Sequence, residues 1–174
     1  MEEINMKKLM TALLCLCTLA LCACGGATQD VDFASVKQAV IDVMEADLRE
    51  GGFGDDAFTE EAPLPGYMIM GMESVEYLPV VLDADQVKDV AVFMAMINVR
   101  SDLIMLVEAK DEAAAKAVEA AYGDTKAQQE QVWGTYLPDQ YEKVKNTKIG
   151  RVGNLVYYVT YDDAAAVENA ILGK

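Results

Sequence analysis

The chain has 174 residues, 29 acidic and 14 basic with no histidine, so its formal net charge is −15 at pH 7. Such an acidic chain is poorly suited to binding nucleic acid, because neutralising phosphates requires clustered Lys and Arg. Without histidine, the chain lacks the usual general base at neutral pH, the Ser-His-Asp arrangement and the commonest zinc ligand.

An apolar stretch near the start has the order of parts found in an export signal. It carries all four cysteines of the chain, namely Cys15, Cys17, Cys22 and Cys24. Lys7 and Lys8 form a basic region, residues 9–21 form an apolar region, and a Leu-x-small tripeptide ending at Ala23 directly precedes Cys24. A membrane-spanning helix needs roughly 20 apolar residues and this run has about 15, so a cleaved signal is favoured.

The end of this signal resembles a bacterial lipobox, in which the thiol of the cysteine after the cleavage site carries a diacylglycerol. We therefore predict a signal peptide over residues 1–23, cleavage between Ala23 and Cys24, and lipidation of Cys24 with acyl chains such as palmitate. Two acyl chains on one cysteine suffice for stable anchoring. The predicted location is the extracytoplasmic face of the cell membrane. Secretion with complete release is the alternative, and translation could start at Met1 or at Met6.

Beyond the signal, residues 24–32 are predicted to form the lipidated cysteine and a flexible tether, and residues 33–174 a single domain. The tether is small and polar, and its r.m.s. length is about 15 Å. Loss of residues 1–23 removes two lysines and two glutamates, so the mature chain keeps its charge of −15. Its only cysteine is Cys24, so the domain depends on its apolar core without a disulfide.

The first half of the domain is predicted to contain one firm helix and a long irregular segment. Apolar residues at helical spacing predict a helix that begins at Phe33 and ends at Gly51. Residues 53–66 are polar and rich in Gly and Pro, which predicts a loop. Residues 67–82 are apolar without a clean period, and a short helix is expected around Ser74. Three methionines of this segment are expected to fill the core and not to bind a metal: Met68, Met70 and Met72.

The second half alternates strands and helices. Its predicted elements are strands over 90–97 and 103–109, a long helix from Asp111 to Pro138, a polar link over 139–146, strands over 147–152 and 155–161, and a final helix over 164–172. The predicted fold is α+β, a two-layer sandwich with a four-stranded, mostly antiparallel sheet made of two hairpins. The N-terminal, central and C-terminal helices are expected on one face. Aromatic residues on both sides of the last strand indicate that the other face is partly covered, and residues 53–82 are favoured over a ligand for that role.

Three stretches of the second half resemble a known family. They are the two strands between residues 90 and 109, the sequence YLPDQY at 136–141, and KNTKIGRVGNLVYYVTYDDA at 145–164. They resemble bacterial lipoproteins that carry the domain of unknown function 4358, an uncharacterised family of anaerobic Gram-positive bacteria. The resemblance covers about the latter half of the mature domain and the lipoprotein start. It implies a location and an architecture, and no reaction.

The segment around YLPDQY is the best candidate for an interaction surface. Its residues are Trp133, Tyr136, Asp139, Gln140 and Tyr141. Aromatic residues with a polar tip are enriched at protein interfaces. The alternative is that Trp133 and Tyr136 pack the end of the long helix onto the sheet while Asp139 and Gln140 cap its last turn, because both aromatics match the buried spacing of that helix.

Catalytic and metal sites are not expected. Asp83-Ala84-Asp85 begins like an EF-hand loop but lacks the invariant glycine and the acidic twelfth residue, so it is expected to cap a turn. No cofactor is predicted. The predicted function is a binding or accessory module of the cell envelope, with an envelope protein or the cell wall as partner and no nucleic acid. The alternative is a carboxylate-dependent hydrolase that acts on cell-wall or glycan material.

Overall fold

The structure, a computed structural model, describes residues 32–174. The predicted signal peptide, the lipidation site Cys24 and all but the last residue of the predicted tether lie outside this range. Among the described helices, none combines the length and the hydropathy that crossing a bilayer requires.

Four helices and five strands make up the described residues. The helices are α1 (Phe33–Glu50), α2 (Glu112–Gly134), α3 (Pro138–Lys145) and α4 (Ala164–Ile171). The strands are β1 (Tyr67–Met70), β2 (Val87–Ala95), β3 (Leu103–Ala109), β4 (Lys148–Val152) and β5 (Leu155–Thr160). Short 3-10 turns span Asp55–Ala57, Met72–Tyr77 and Ala84–Gln86. Side-chain caps define where two helices begin, because Asp111 accepts the amide of Ala114 and Asp163 accepts that of Ala166.

The strands form one antiparallel sheet in the order β1-β2-β3-β5-β4. The α+β class and the two hairpins, β2–β3 and β4–β5, are as predicted, but the prediction of four strands is wrong. The fifth strand is β1, which pairs with β2 with Tyr67 opposite Ala95. Its four residues are all apolar, so no alternation of polar and apolar side chains distinguishes the strand from the irregular chain that follows.

Apolar side chains cover both faces of the sheet. On one face, α1 and α4 pack on Phe93, Leu106 and Tyr157. On the other, α2 packs on Val107 and Tyr158, together with Met70 of β1 and residues from the segment after it such as Val80. The prediction that helices lie on one face only is therefore not confirmed, although the expected contribution of residues 53–82 to covering the sheet is present.

The segment around Pro138 differs from the sequence prediction. Residues 139–146 are predicted to be a polar link, but all except Asn146 belong to helix α3, and Pro138 is its first residue. Proline is well tolerated there, because its fixed φ suits a helix and the first turn needs no amide donor. Only Val144 of this helix is buried, so its sequence has no apolar periodicity that would reveal it.

The β4–β5 hairpin depends on a close contact across the two strands. Gly150 of β4 pairs with Tyr157 of β5, and the Tyr157 ring lies directly over the glycine. The Tyr157 hydroxyl donates to Glu168 of α4 at 2.8 Å. A glycine is required at position 150, because a Cβ atom there would overlap the tyrosine hydroxyl and ring.

Candidate interaction site

Two of the three aromatic residues of the predicted surface, Trp133 and Tyr136, meet at the end of α2. Trp133 is 8% exposed, and its Nε1 donates to Gln129 Oε1 at 3.0 Å. Tyr136 is 52% exposed, and its ring centroid lies 5.8 Å from that of Trp133. Trp133 is thus held in place, and Tyr136 offers an exposed aromatic face beside it.

The three remaining residues of the predicted surface lie on α3. Asp139 is exposed in the first turn of this helix. Tyr141 is partly buried against Gly134, with Lys145 Nζ 5.3 Å from its ring centroid.

Gln140 connects α3 to the β2–β3 turn. Its Oε1 accepts the amide of Ser101 at 2.8 Å and the hydroxyl of Ser101 at 3.0 Å. Ser101 is buried, so the glutamine satisfies a donor that water does not reach. Gln140 therefore has a structural role in positioning the turn.

A buried ion cluster lies next to Ser101, and the sequence did not predict it. Asp102, 2% exposed, lies at its centre. Its Oδ2 accepts from the Tyr67 hydroxyl at 2.6 Å and lies 2.5 Å from Nη2 of Arg100. Its Oδ1 accepts from Lys143 Nζ at 2.6 Å. Lys143 also contacts the exposed Asp162 at 2.7 Å, so the two cations and two carboxylates of the cluster balance in charge.

This cluster is arranged to hold chain segments together. Both oxygens of Asp102 are engaged by donors, which leaves this carboxylate poorly placed to accept a proton from a substrate. Burial, the hydrogen bond to Asp102 and its charge raise the pKa of Tyr67 well above its usual range, so its hydroxyl stays a donor at neutral pH. The members come from the start of β1, the β2–β3 turn, α3 and the end of β5, and no local sequence spacing could have revealed the cluster.

A cleft of about 310 Å³ lies between the β2–β3 turn and the C-terminal part of α2. Trp133 forms part of its wall, with Gln129 beside it and Arg100 as a charged group on the turn. Most of its remaining lining residues are apolar, namely Pro79, Met94, Ala95, Met96, Ile97 and Leu103. The polar ones are Asn98, Ser101 and Asp102. A mainly apolar concavity with a few polar groups is typical of a binding site.

Residues 32–174 contain no group of three or more acidic or cysteine side chains placed to hold a metal ion. Asp83 accepts the amide of Asp85 through its side chain, which confirms the predicted capping role.

Comparison with known proteins supports one part of the sequence prediction. Neither the curated proteins nor the solved structures include a match to this chain. The stretch from the end of the long irregular segment to the end of β5, residues 81–161, matches the model of the family described as a domain of unknown function (DUF4358).

Proposed function

We propose that the protein is a lipid-anchored lipoprotein of the extracytoplasmic membrane face whose domain is a binding or accessory module of the cell envelope. The anchor is supported by the sequence alone, through the signal-like order of residues 1–23 and the position of Cys24 after Ala23. The binding role is carried by the cleft that has Trp133 in its wall, and Tyr136 exposes its aromatic ring next to this tryptophan.

The partner surface that fits this cleft is apolar at its centre. Interface cores are depleted of charged residues and enriched in aromatic residues, and the Trp133–Tyr136 pair has this character. The hydrogen bond that Trp133 donates to Gln129 holds the wall in place, so the surface is preorganised, which lowers the entropic cost of binding. We infer an envelope protein as the partner.

The hydrolase alternative has no specific support from the cleft. A carboxylate-dependent glycosidase needs two carboxyl groups on either side of the scissile bond. Asp102 is the one acidic residue in the cleft lining, and Tyr67, Arg100 and Lys143 already engage its oxygens. A binding role accounts better for this arrangement.

The anchor is tested by metabolic labelling with a fatty-acid analogue. The wild-type chain should be labelled, and the Cys24→Ala variant should not. Label that persists in Cys24→Ala would refute the lipoprotein assignment.

The binding role is tested by cross-linking in the native envelope followed by affinity capture of the lipidated protein. Tyr136→Glu places a charge next to Trp133, which forms part of the cleft wall, and should abolish recovery of a reproducible partner. Phe53→Glu is the matched control, because Phe53 is also an exposed aromatic (43%) but follows α1, which packs on the opposite face of the sheet from α2. Equal recovery with both variants would show that the cleft is not the binding surface.

A further inference from the structure

The β2–β3 turn presents apolar side chains to solvent that the fold does not need there. Met96 is 68% exposed, Ile97 52% and Val99 47%. On the neighbouring strand β1, Met68 is 40% exposed, although the sequence predicted that it fills the core. We name these four residues the apolar tip. An exposed apolar patch of this kind marks a contact with a protein or a membrane.

The apolar tip is nearly free of charge on a strongly acidic protein. Between residues 96 and 101 the sequence is MINVRS, whose only charged residue is Arg100. The guanidinium of Arg100 is partly exposed and turned toward Asp102 and Asp162. Residues 96–101 therefore contribute no acidic side chain that would repel anionic headgroups, and the basic Lys37 accompanies Glu61 in the cleft beside Met68 and Met96.

The polypeptide enters the domain beside the apolar tip. A cleft of about 580 Å³ is lined on one side by Lys37 and Ile41 of α1 and on the other by Met68 and Met96 of the tip. Helix α1 begins at Phe33, and Lys37 is about one turn farther along. The chain segment that leads back to Cys24 therefore starts next to the tip.

The length of that segment limits what the tip can reach. Eight residues, 25–32, separate Cys24 from α1, and a chain of eight residues spans at most about 29 Å, so a lipid on Cys24 keeps the entry point of the domain close to the bilayer. Contact of the tip with the same bilayer is then an intramolecular event with a high effective concentration. Apolar side chains that insert at the interface add to the binding that the lipid anchor provides, in proportion to the apolar area that they bury.

We propose that the apolar tip docks on the lipid bilayer in which Cys24 is anchored. The domain is thereby held in one orientation, with the β2–β3 turn at the membrane surface and the Trp133 cleft, which shares Met96 and Ile97 with the tip, opening at the same surface. This inference rests on the proposed lipid anchor, and it adds a second contact that the anchor alone does not require.

The test uses the full-length, lipidated protein reconstituted in phosphatidylcholine–phosphatidylglycerol vesicles. Lipidation would occupy the thiol of Cys24, so an Asn98→Cys substitution at the exposed turn supplies a single reactive thiol for an environment-sensitive nitrobenzoxadiazole dye. Lys110→Cys is the matched control, because Lys110 is exposed and directly follows β3 at the opposite end of the sheet, about 20 Å away. Docking predicts emission that is severalfold stronger and shifted to the blue at position 98, with solvent-like emission at position 110.

Two further measurements make the outcome decisive. Met96→Glu combined with Ile97→Glu should reduce the emission at position 98 to the level of the Lys110→Cys control, while the circular dichroism melt of these exposed-site variants stays unchanged. Solvent-like emission at position 98 in a sample whose fatty-acid label is intact would overturn the docking alone. A missing fatty-acid label would overturn the lipoprotein proposal and the docking with it. Emission at position 98 that rises with the protein-to-lipid ratio would identify a second copy of the chain as the contact, and would also overturn the docking.

Discussion

Asp102→Asn tests whether the buried ion cluster stabilises the fold. The substitution keeps the size of the side chain and removes its charge, so Lys143 and Arg100 lose their buried partner. The side chain of Lys143 is only 10% exposed and that of Arg100 35%, so solvent compensates the lysine poorly. The side-chain amide of asparagine also brings a hydrogen-bond donor next to the donor groups of Lys143 and Arg100.

The expected cost follows from these contacts. Removing one partner of a buried ion pair costs about 3–5 kcal/mol. The lower end applies here, because Lys143 keeps Asp162 at 2.7 Å and Arg100 is partly hydrated. We expect a loss of about 3 kcal/mol, a large share of the roughly 5–15 kcal/mol that stabilises a domain. With an m-value of about 2 kcal/mol/M, the urea midpoint should fall by about 1.5 M.

The matched control is Asp162→Asn, which makes the same chemical change next to the same two cations at a side chain that is 63% exposed. An exposed ion pair contributes about 0–1 kcal/mol, so this variant should shift the midpoint little. The assay is urea unfolding followed by circular dichroism, with the m-value as a check that the transition stays two-state. Equal shifts for the two variants, or a loss below about 1 kcal/mol for Asp102→Asn, would refute the reasoning.

Four further outcomes are expected in the same unfolding assay. Gly150→Ala should cost about 2 kcal/mol, because the added methyl group overlaps the Tyr157 side chain, and unchanged stability would contradict that contact. Gly123→Ala, in an open and exposed position inside α2, should instead add about 0.5–1 kcal/mol, and a loss would show strain at that position. Gln140→Ala should cost about 2 kcal/mol by leaving buried donors of Ser101 unsatisfied, whereas Gln140→Glu keeps an acceptor and should cost less. Burial and a hydrogen bond to a carboxylate raise the pKa of Tyr157 to about 12, above its unfolded value of about 10. The contribution of this tyrosine to stability is therefore complete below about pH 10 and is lost as the pH rises to about 12. A urea midpoint that does not fall between about pH 10 and 12 would contradict the raised pKa. Tyr157→Phe should make the urea midpoint fall less steeply with pH over that range.

The sequence predicts most elements whose signal is local. The helix that begins at Phe33 and strand β3 are as predicted, because an apolar period or an uninterrupted apolar run marks each of them. Strand β1 and helix α3 are missed. The former pairs only with a strand that begins 20 residues after it starts, and the latter buries a single side chain, so neither leaves a periodic pattern in the sequence.

The candidate site is predictable only where one segment carries it. Trp133 and Tyr136 are three residues apart and share the turn that ends α2, in which the amide of Tyr136 donates to the carbonyl of Trp133. Tyr67 and Lys143, two of the three partners of Asp102, lie 35 residues before it and 41 after it, and only the folded chain brings them together. Gln140 and Ser101 are also far apart in sequence and meet only in the folded chain. Their contact gives Gln140, a residue of the predicted surface, a structural role in positioning the β2–β3 turn.

The sheet order has a consequence for where this domain can be divided. The family match spans residues 81–161, which include strands β2 to β5 and helices α2 and α3. Helices α1 and α4, which cover one face of that sheet, lie outside the match. An expression fragment limited to the matched residues would expose Phe93, Leu106 and Tyr157 to water and is expected to aggregate. The stretch of sequence shared with the family is therefore smaller than the unit that folds.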